Sequence, residues 1–426
     1  MNEKIQSLLD FLNESKSHYH ATAAVARWLE EADYTLLEES APWTLVPGGK
    51  YYLTRGGSGL LAFRIPEVTP KGFLMSASHC DRPTFLVKEN GELQGTYTRL
   101  ATERYGGMLI YSWIDRPLSV AGRVLVETDS GVESRLVDID RDLGLIPSVA
   151  IHMDRNANEG RKWDPAKDVN VTLGSKSAAG KLHKLLEEAA GGKILASDLY
   201  LYIRQKATVW GIDEEYISAP GLDDLECVWG CAQGFLHAQP SESIPVLCVF
   251  DSEEVGSCSP QGADGTLLSA TLARISRLMG YDHDQMLANS FMVSADNAHA
   301  IHPNHPELSD PGNAPTLGGG IVIKTNANLS YTSSGLSTAI FRKLCADRDI
   351  PTQSFYNRAD LRGGSTLGRI SLNHVSVPSV DIGLAQLAMH SCYETASSAD
   401  PIHLENAMTA FYGASLQATS GGYIMK

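Results

Sequence analysis

Apolar residues near the N-terminus recur at helical spacing. Ile5, Leu8, Leu9 and Leu12 share one face, and strong helix formers follow between Ala21 and Leu29, so the pattern predicts helix over residues 5–33. Short apolar runs come next, and Lys71-Gly72-Phe73-Leu74-Met75-Ser76-Ala77 reads as a strand. From about residue 95 to 216 the period shortens to two. Residues 123–128 and 132–137 flank an Asp129-Ser130-Gly131 turn, a hairpin pattern, and Leu199, Leu201 and Ile203 alternate with Tyr200, Tyr202 and Arg204. This β-rich block carries one expected helix near 178–190. Beyond 217, strands and helices alternate: helix 222–237, strand 244–250, helix 266–279, strand 291–295, helix 334–347, strand 380–384. A last helix starts at 401, with Asp400 as the expected N-cap and Pro401 in the first position. Alternation of this kind predicts an α/β fold with a mixed, largely parallel sheet flanked by helices.

Composition narrows the functional classes. A chain of 426 residues has room for two or three domains, and 43% hydrophobic residues suffice for full cores. Its formal charge of −15 disfavours nucleic acid and anionic membranes as partners, because both require a cationic face. No apolar stretch reaches the ~18 residues of a membrane span, and no signal peptide is visible. The seven cysteines are scattered, with no C-x-x-C pair, so we expect a reducing, cytoplasmic setting rather than a disulfide framework or a thiolate zinc site.

In parallel sheets, ligands gather beyond the carboxyl ends of the strands. Four predicted strands are followed there by Ser78-His79-Cys80-Asp81, by Asp251-Ser252-Glu253-Glu254, by Asp296 and by Met389-His390-Ser391, and a fifth polar group, Asp223-Asp224, opens a helix. Each alone is most simply a polar cap or a solvated corner. Together they place imidazoles and carboxylates, the donors zinc prefers, at one end of one sheet. Two histidines and three carboxylates exceed the three protein ligands of a single catalytic zinc and suit two ions sharing a carboxylate. In extended chain Glu253 and Glu254 point oppositely, so one can bind metal while the other moves a proton.

The chain resembles the M18 metallopeptidases of the aspartyl aminopeptidase type. The matching motifs run through most of its length: Ser78-His79-Cys80-Asp81-Arg82-Pro83, Tyr105-Gly106-Gly107, Asp115-Arg116-Pro117-Leu118-Ser119-Val120-Ala121-Gly122-Arg123, Ile151-His152-Met153-Asp154-Arg155, Gly221-Leu222-Asp223-Asp224-Leu225, Asp251-Ser252-Glu253-Glu254-Val255-Gly256-Ser257, Ser294-Ala295-Asp296-Asn297-Ala298-His299, Gly363-Gly364-Ser365-Thr366-Leu367-Gly368 and Gln386-Leu387-Ala388-Met389-His390-Ser391. The resemblance implies His79, Asp223, Glu254, Asp296 and His390 as ligands of two divalent ions, zinc by default with cobalt or manganese as alternatives, Asp223 bridging. It makes Glu253 the general base and Asp81 the group that orients His79. It assigns His299, Lys324 and Tyr331 to substrate, with His152 supplied by a neighbouring subunit. It implies a zinc-exopeptidase-like catalytic domain of residues 1–90 and 217–426, interrupted by a β-rich dimerisation domain at 91–216. The expected protein is a homo-oligomer, a dodecamer built from dimers, releasing N-terminal residues, acidic ones in the first instance, from peptides with a free N-terminus. Cys80 and Arg82 stand where many members have Thr and Ser, and Asp224 where many have Asn; added charges near the metals are expected to bear on side-chain preference.

Other chemistries fail on spacing. The series His299-x-x-His302-x-x-His305 is broken by Pro303 and Pro306, so His302 and His305 read as structural. No H-E-x-x-H occurs, 174–181 misses the phosphate-loop spacing, and Gly318-Gly319-Gly320 precedes a strand rather than a helix. Two alternatives stay open: a dinuclear hydrolase of acylated amino acids, which needs no free amine, and a catalytically silent scaffold.

Overall fold

The computed structural model describes residues 2–361 and 363–425. Its main sheet has nine strands: β1 (Thr35–Leu36), β2 (Lys50–Arg55), β3 (Gly59–Arg64), β4 (Phe73–His79), β5 (Ile244–Phe250), β6 (Phe291–Ala295), β7 (Ile321–Lys324), β8 (Thr352–Phe355) and β9 (Ser379–Gly383). They lie in the order β1-β2-β3-β5-β4-β6-β9-β7-β8. The four central strands, β5, β4, β6 and β9, run parallel and are buried at every position, as expected of strands covered on both faces. Register sets their ends level: Phe250 lies opposite His79, Ser294 opposite Ala77 and Ala295 opposite Ile382. The residues that follow therefore emerge at one edge. Helices Leu222–His237 and Asp400–Gly413 cover one face through Trp229, Phe235, Leu404 and Phe411, and Leu267–Met279 covers the other through Leu268, Leu272 and Ile275.

A second sheet of six strands, antiparallel throughout, lies between β4 and β5 in the chain. It begins with Thr84–Leu93 and ends with Ile194–Ile203, and it has its own core around Phe85, Trp113, Val120 and Leu199. Its pairing starts before residue 91. The later strands Thr208–Trp210 and Tyr216–Ala219 belong to a third, five-stranded sheet, completed by Glu394–Ser397, Ala385–Leu387 and Ala298–His299. Among the described residues no helix is long and apolar enough to cross a membrane, and no disulfide forms.

Three local expectations are corrected. Residues 5–33 form two helices, Glu3–Glu14 and His18–Glu31, because Arg82 takes the Lys16 carbonyl (2.7 Å) and Ser17 Oγ meets His20 Nδ1 (2.9 Å). Asp400 does not cap the last helix; Ala399 is the N-cap, and the Asp400 carboxylate accepts the amides of Gly318 and Gly320 at 2.8 and 2.9 Å. Glu253 and Glu254 are not extended. They open a single 3₁₀ turn, Glu253–Val255, behind Ser252 at φ 64°.

Candidate metal centre

At the carboxyl edge of the parallel strands lies a cavity of about 280 Å³, lined by His79, Asp223, Glu253, Glu254, Asp296, His299, Lys324, Tyr331, Phe355, Thr366, Met389 and His390 among others. Ten of the eleven residues singled out from the sequence are near it: nine line it, and Asp81 lies buried behind it. His152 is the exception. It sits exposed in a turn of the six-stranded domain and lines no part of its own chain's cavity.

Asp223 occupies the centre. Helix Leu222–His237 follows Gly221 in the left-handed region, and neither Asp223 (φ −80°, ψ 107°) nor Asp224 (φ −119°, ψ 21°) is helical, so the chain turns Asp223 into the cavity before the helix settles. Asp223 Oδ1 is 3.6 Å from His79 Nε2, and Asp223 Oδ2 is 3.4 Å from His390 Nε2. Glu254 Oε1 lies 3.3 Å from the same His390 nitrogen. His79, Asp223 and Glu254 each bring a ligand atom within 4.8 Å of the others. Among the described residues no hydrogen bond reaches Asp223 Oδ1 or Glu254 Oε1. Buried carboxylate oxygens without donors cost free energy unless a cation meets them. The donor set therefore fits a divalent metal, and its imidazole and carboxylate mixture suits zinc.

Asp81 ties the walls together. Its Oδ1 accepts the Glu253 amide (3.0 Å), and its Oδ2 accepts the Glu254 amide (3.1 Å) and the Tyr105 hydroxyl (2.9 Å). His79 Nδ1 is met by the Asp81 backbone carbonyl at 3.1 Å and its carboxylate at 3.4 Å, which leaves Nε2 facing the cavity. Tyr105 belongs to the six-stranded sheet, as does the loop whose Gly107 carbonyl meets His390 Nδ1 at 2.5 Å. Gly106 between them has φ 76°, and a Cβ there would stand 3.2 Å from Glu254 Cβ. Gly383 at the end of β9 is similarly constrained, since a Cβ would meet the Asp296 carbonyl at 1.9 Å.

Sequence reasoning missed two polar anchors. Asn297 donates to the Leu222 carbonyl, Glu226 and Gln386 at 2.8–3.1 Å, locking the chain beside Asp296 to the start of the Asp223 helix. Glu394 accepts backbone amides of two candidate ligands. Nothing in a lone buried Asn or Glu marks such a role beforehand. The added charges of two motifs, Arg82 and Asp224, meet backbone groups. Arg82 donates to the Lys16 and Pro220 carbonyls, and Asp224 is fully buried and accepts the His79 amide at 3.1 Å. Neither is among the described residues lining the cavity. Backbone carbonyls hold Arg82, and one Asp224 oxygen is held by the His79 amide while Oδ1 has no donor among the described residues.

Lys324 is 2% exposed. It donates to the carbonyls of Asp296 (2.6 Å) and Asn297 (3.2 Å), and its third contact is Asp296 Oδ1 at 3.4 Å. Burial is the largest single effect and opposes its charge, but Asp296, Tyr331, Asp381 and Asp224 together raise the ammonium's pKa.

Similarity to known proteins follows the same residues. The family model for aminopeptidase I zinc metalloproteases (M18) matches residues 11–412. The chain belongs to the M18 family. Across 431 residues this M18 chain is 38% identical to a probable M18 family aminopeptidase 2 of Clostridium novyi, covering 97% of this chain and 100% of the relative. It is 39% identical to a namesake from Pseudomonas entomophila, with 95% and 97% covered. It also superposes on a chain of the cryo-EM structure of the Ape4 and Nbr1 complex with TM-score 0.93 at 32% identity, covering 96% of this chain and 85% of that one. With the S. cerevisiae mApe1 dodecamer the TM-score is 0.85 at 26% identity, 97% of both chains being covered. The M18 protein is thus a metallo-aminopeptidase, a hydrolase of a zinc family.

The electrostatics of this M18 site set a pH dependence for zinc uptake. Burial disfavours a charged His390, yet the carboxylates of Asp223 and Glu254 beside it push it up to about 11. Burial pushes Glu254 up to about 7. At neutral pH His390 therefore carries a proton that a metal bound through it would have to displace, and below about 7 Glu254 would add a second. Both raised values have the same sign: the proton competes more strongly as pH falls. Zinc titrations of the chelator-stripped protein between about pH 6.5 and 8.5 are expected to show apparent affinity rising about tenfold per pH unit for each proton displaced. A pH-independent affinity would contradict this account.

Proposed function

We propose that this aminopeptidase works with two divalent ions, zinc by default and cobalt or manganese as substitutes, held by His79, Asp223, Glu254, Asp296 and His390. The observation that carries this reading is Asp223, whose two carboxylate oxygens each face a different imidazole. Zinc in such a site acts as a Lewis acid, making water more acidic and polarising a carbonyl. Glu253, on the cavity wall with its backbone fixed by Asp81, accepts the proton of the attacking water and delivers it to the leaving amine. Burial pushes the Glu253 carboxyl up to about 9, with Asp296, Glu254 and Asp81 adding to the rise and His79 opposing it; bound divalent cations would lower it towards the range a general base needs. The substrate's free α-amino group binds in the acid cluster. At about 280 Å³ the cavity lies at the small end of ligand pockets (~300–1,000 Å³), which suits one N-terminal residue rather than a length of chain.

For the side chain released, we infer a preference for Asp or Glu. Lys324 is the one ammonium or guanidinium among the described lining residues, and its approach to Asp296 Oδ1 is the contact a substrate carboxylate can replace. A second reading has a specific basis: Lys324 already donates to two backbone carbonyls and contacts Asp296 Oδ1, and Tyr331, Phe355 and Met389 offer apolar wall, which favours neutral side chains. A panel of aminoacyl reporters, with metal content measured in parallel, separates the two. On the acidic reading, Lys324→Met lowers kcat/KM for Asp and Glu reporters at least about tenfold more than for Ala and Leu, the loss of one charged hydrogen bond. Equal losses on all reporters assign Lys324 to holding Asp296 instead.

We further propose a homo-oligomer, a dodecamer built from dimers, in which the six-stranded domain pairs subunits and His152 reaches a neighbour's cavity. The dodecameric S. cerevisiae relative and the exposed position of His152 support this reading. The unpaired cysteines suit a cytoplasmic enzyme acting on peptides, with no nucleic-acid or membrane partner.

A further inference from the structure

Glu394 lies outside the cavity and is 1% exposed, at the start of strand Glu394–Ser397 in the five-stranded sheet. Register places it opposite Ala219, the last residue of Tyr216–Ala219, and the chain leaving Ala219 leads through Gly221 to Asp223. One carboxylate oxygen accepts the Asp223 amide at 3.0 Å, and the other accepts the His390 amide at 2.7 Å. Thus one buried carboxylate grips the backbones of two cavity residues from distant parts of the chain, and those residues' side chains then meet 3.4 Å apart. His390 needs such support. Its φ is 65°, a region a non-glycine residue enters only when its surroundings hold it there. Its carbonyl is held by the Leu109 amide at 3.0 Å and its ring by Gly107, so the Glu394 bond completes the set.

We propose that Glu394 is a positioning residue for the metal centre: it fixes the Asp223 and His390 backbones together so that both side chains address the same cations. This inference rests on the metal-ligand reading above. A carboxylate is the group the geometry requires, because two N–H donors converge on it and only a side chain with two acceptor oxygens serves both. The amide of Gln offers one oxygen, and its NH₂ would face a second donor.

The test uses the intact, stripped enzyme reloaded with zinc or cobalt. E394Q is expected to weaken zinc binding about 10- to 100-fold in chelator competition, the range for groups that orient ligands, and to shift the visible absorption bands of the cobalt protein. Bands and affinity matching wild type within about twofold would overturn the proposal. If E394Q does not fold, E394D, which keeps the charge but shortens the reach, carries the same comparison under the same two criteria. Asp223→Ala run alongside distinguishes the levels: if that variant keeps wild-type metal binding, the ligand reading itself fails, whereas metal lost with Asp223 but untouched by E394Q refutes only the role of Glu394.

Discussion

Glu253→Gln is expected to retain its full metal content while losing at least about 10²-fold in kcat, the lower range for general-base catalysis. The side chain keeps its volume and its place in the turn Glu253–Val255, and the residue's backbone N–H still donates to Asp81 Oδ1 at 3.0 Å, so the fold gives no reason for ligands to move. What disappears is the ability to accept a proton. Single-turnover measurements with metal analysis on the same sample check both halves. Wild-type turnover would remove Glu253 from the chemistry, and lost metal would make it a ligand. The same variant tests the shared cavity. Mixed with His152→Ala subunits, it is expected to regain activity where an intact Glu253 cavity receives an intact His152 from its neighbour. No recovery in verified mixed oligomers would confine His152 to its own subunit.

Asp223→Ala should be more damaging still. It removes the carboxylate that faces both His79 and His390, and with it the charge that holds the imidazoles in place. Burial alone would raise the Asp223 pKa, but the two histidines hold it below the usual carboxylate range, which shows how firmly its negative charge is fixed. Without it, metal content is expected to fall well below that of wild type after dialysis. Activity should drop by about 10³-fold or more, because the several kcal/mol supplied by Lewis-acid catalysis goes with the metal. Metal analysis and reporter turnover check this. Full activity with intact metal would dismantle the dinuclear reading.

The strand ends were legible in the sequence for a physical reason. Strands buried on both faces are runs of apolar and small residues, so the first imidazole or carboxylate residues after 73–77, 244–250 and 291–295 mark the edge of the sheet, and register then brings His79, Glu253, Glu254 and Asp296 together. Short elements gave no such signal. The five-stranded sheet is made of strands of two to four residues, too short to show a period, so neither it nor Glu394 could be read in advance. The break at 15–17 depends on Arg82, distant in sequence, and Asp400 serves glycines 318 and 320 rather than its own helix. The turn at Glu253 hides behind a residue, Ser252, whose left-handed backbone its identity does not announce.

The strand pairing of β4 with β5 has a consequence for how the molecule is made. These neighbours are separated in the chain by the whole six-stranded sheet. A ribosome must therefore finish the insert before the central seam of the catalytic layer can zip, and until then the apolar run 73–77 has no partner on that side. Loop-closure cost grows only slowly with length if the intervening segment collapses first into its own core, as Phe85, Trp113 and Val120 allow it to. Nascent chains stalled just before residue 244 should accordingly show a protease-resistant insert attached to an unprotected amino-terminal segment.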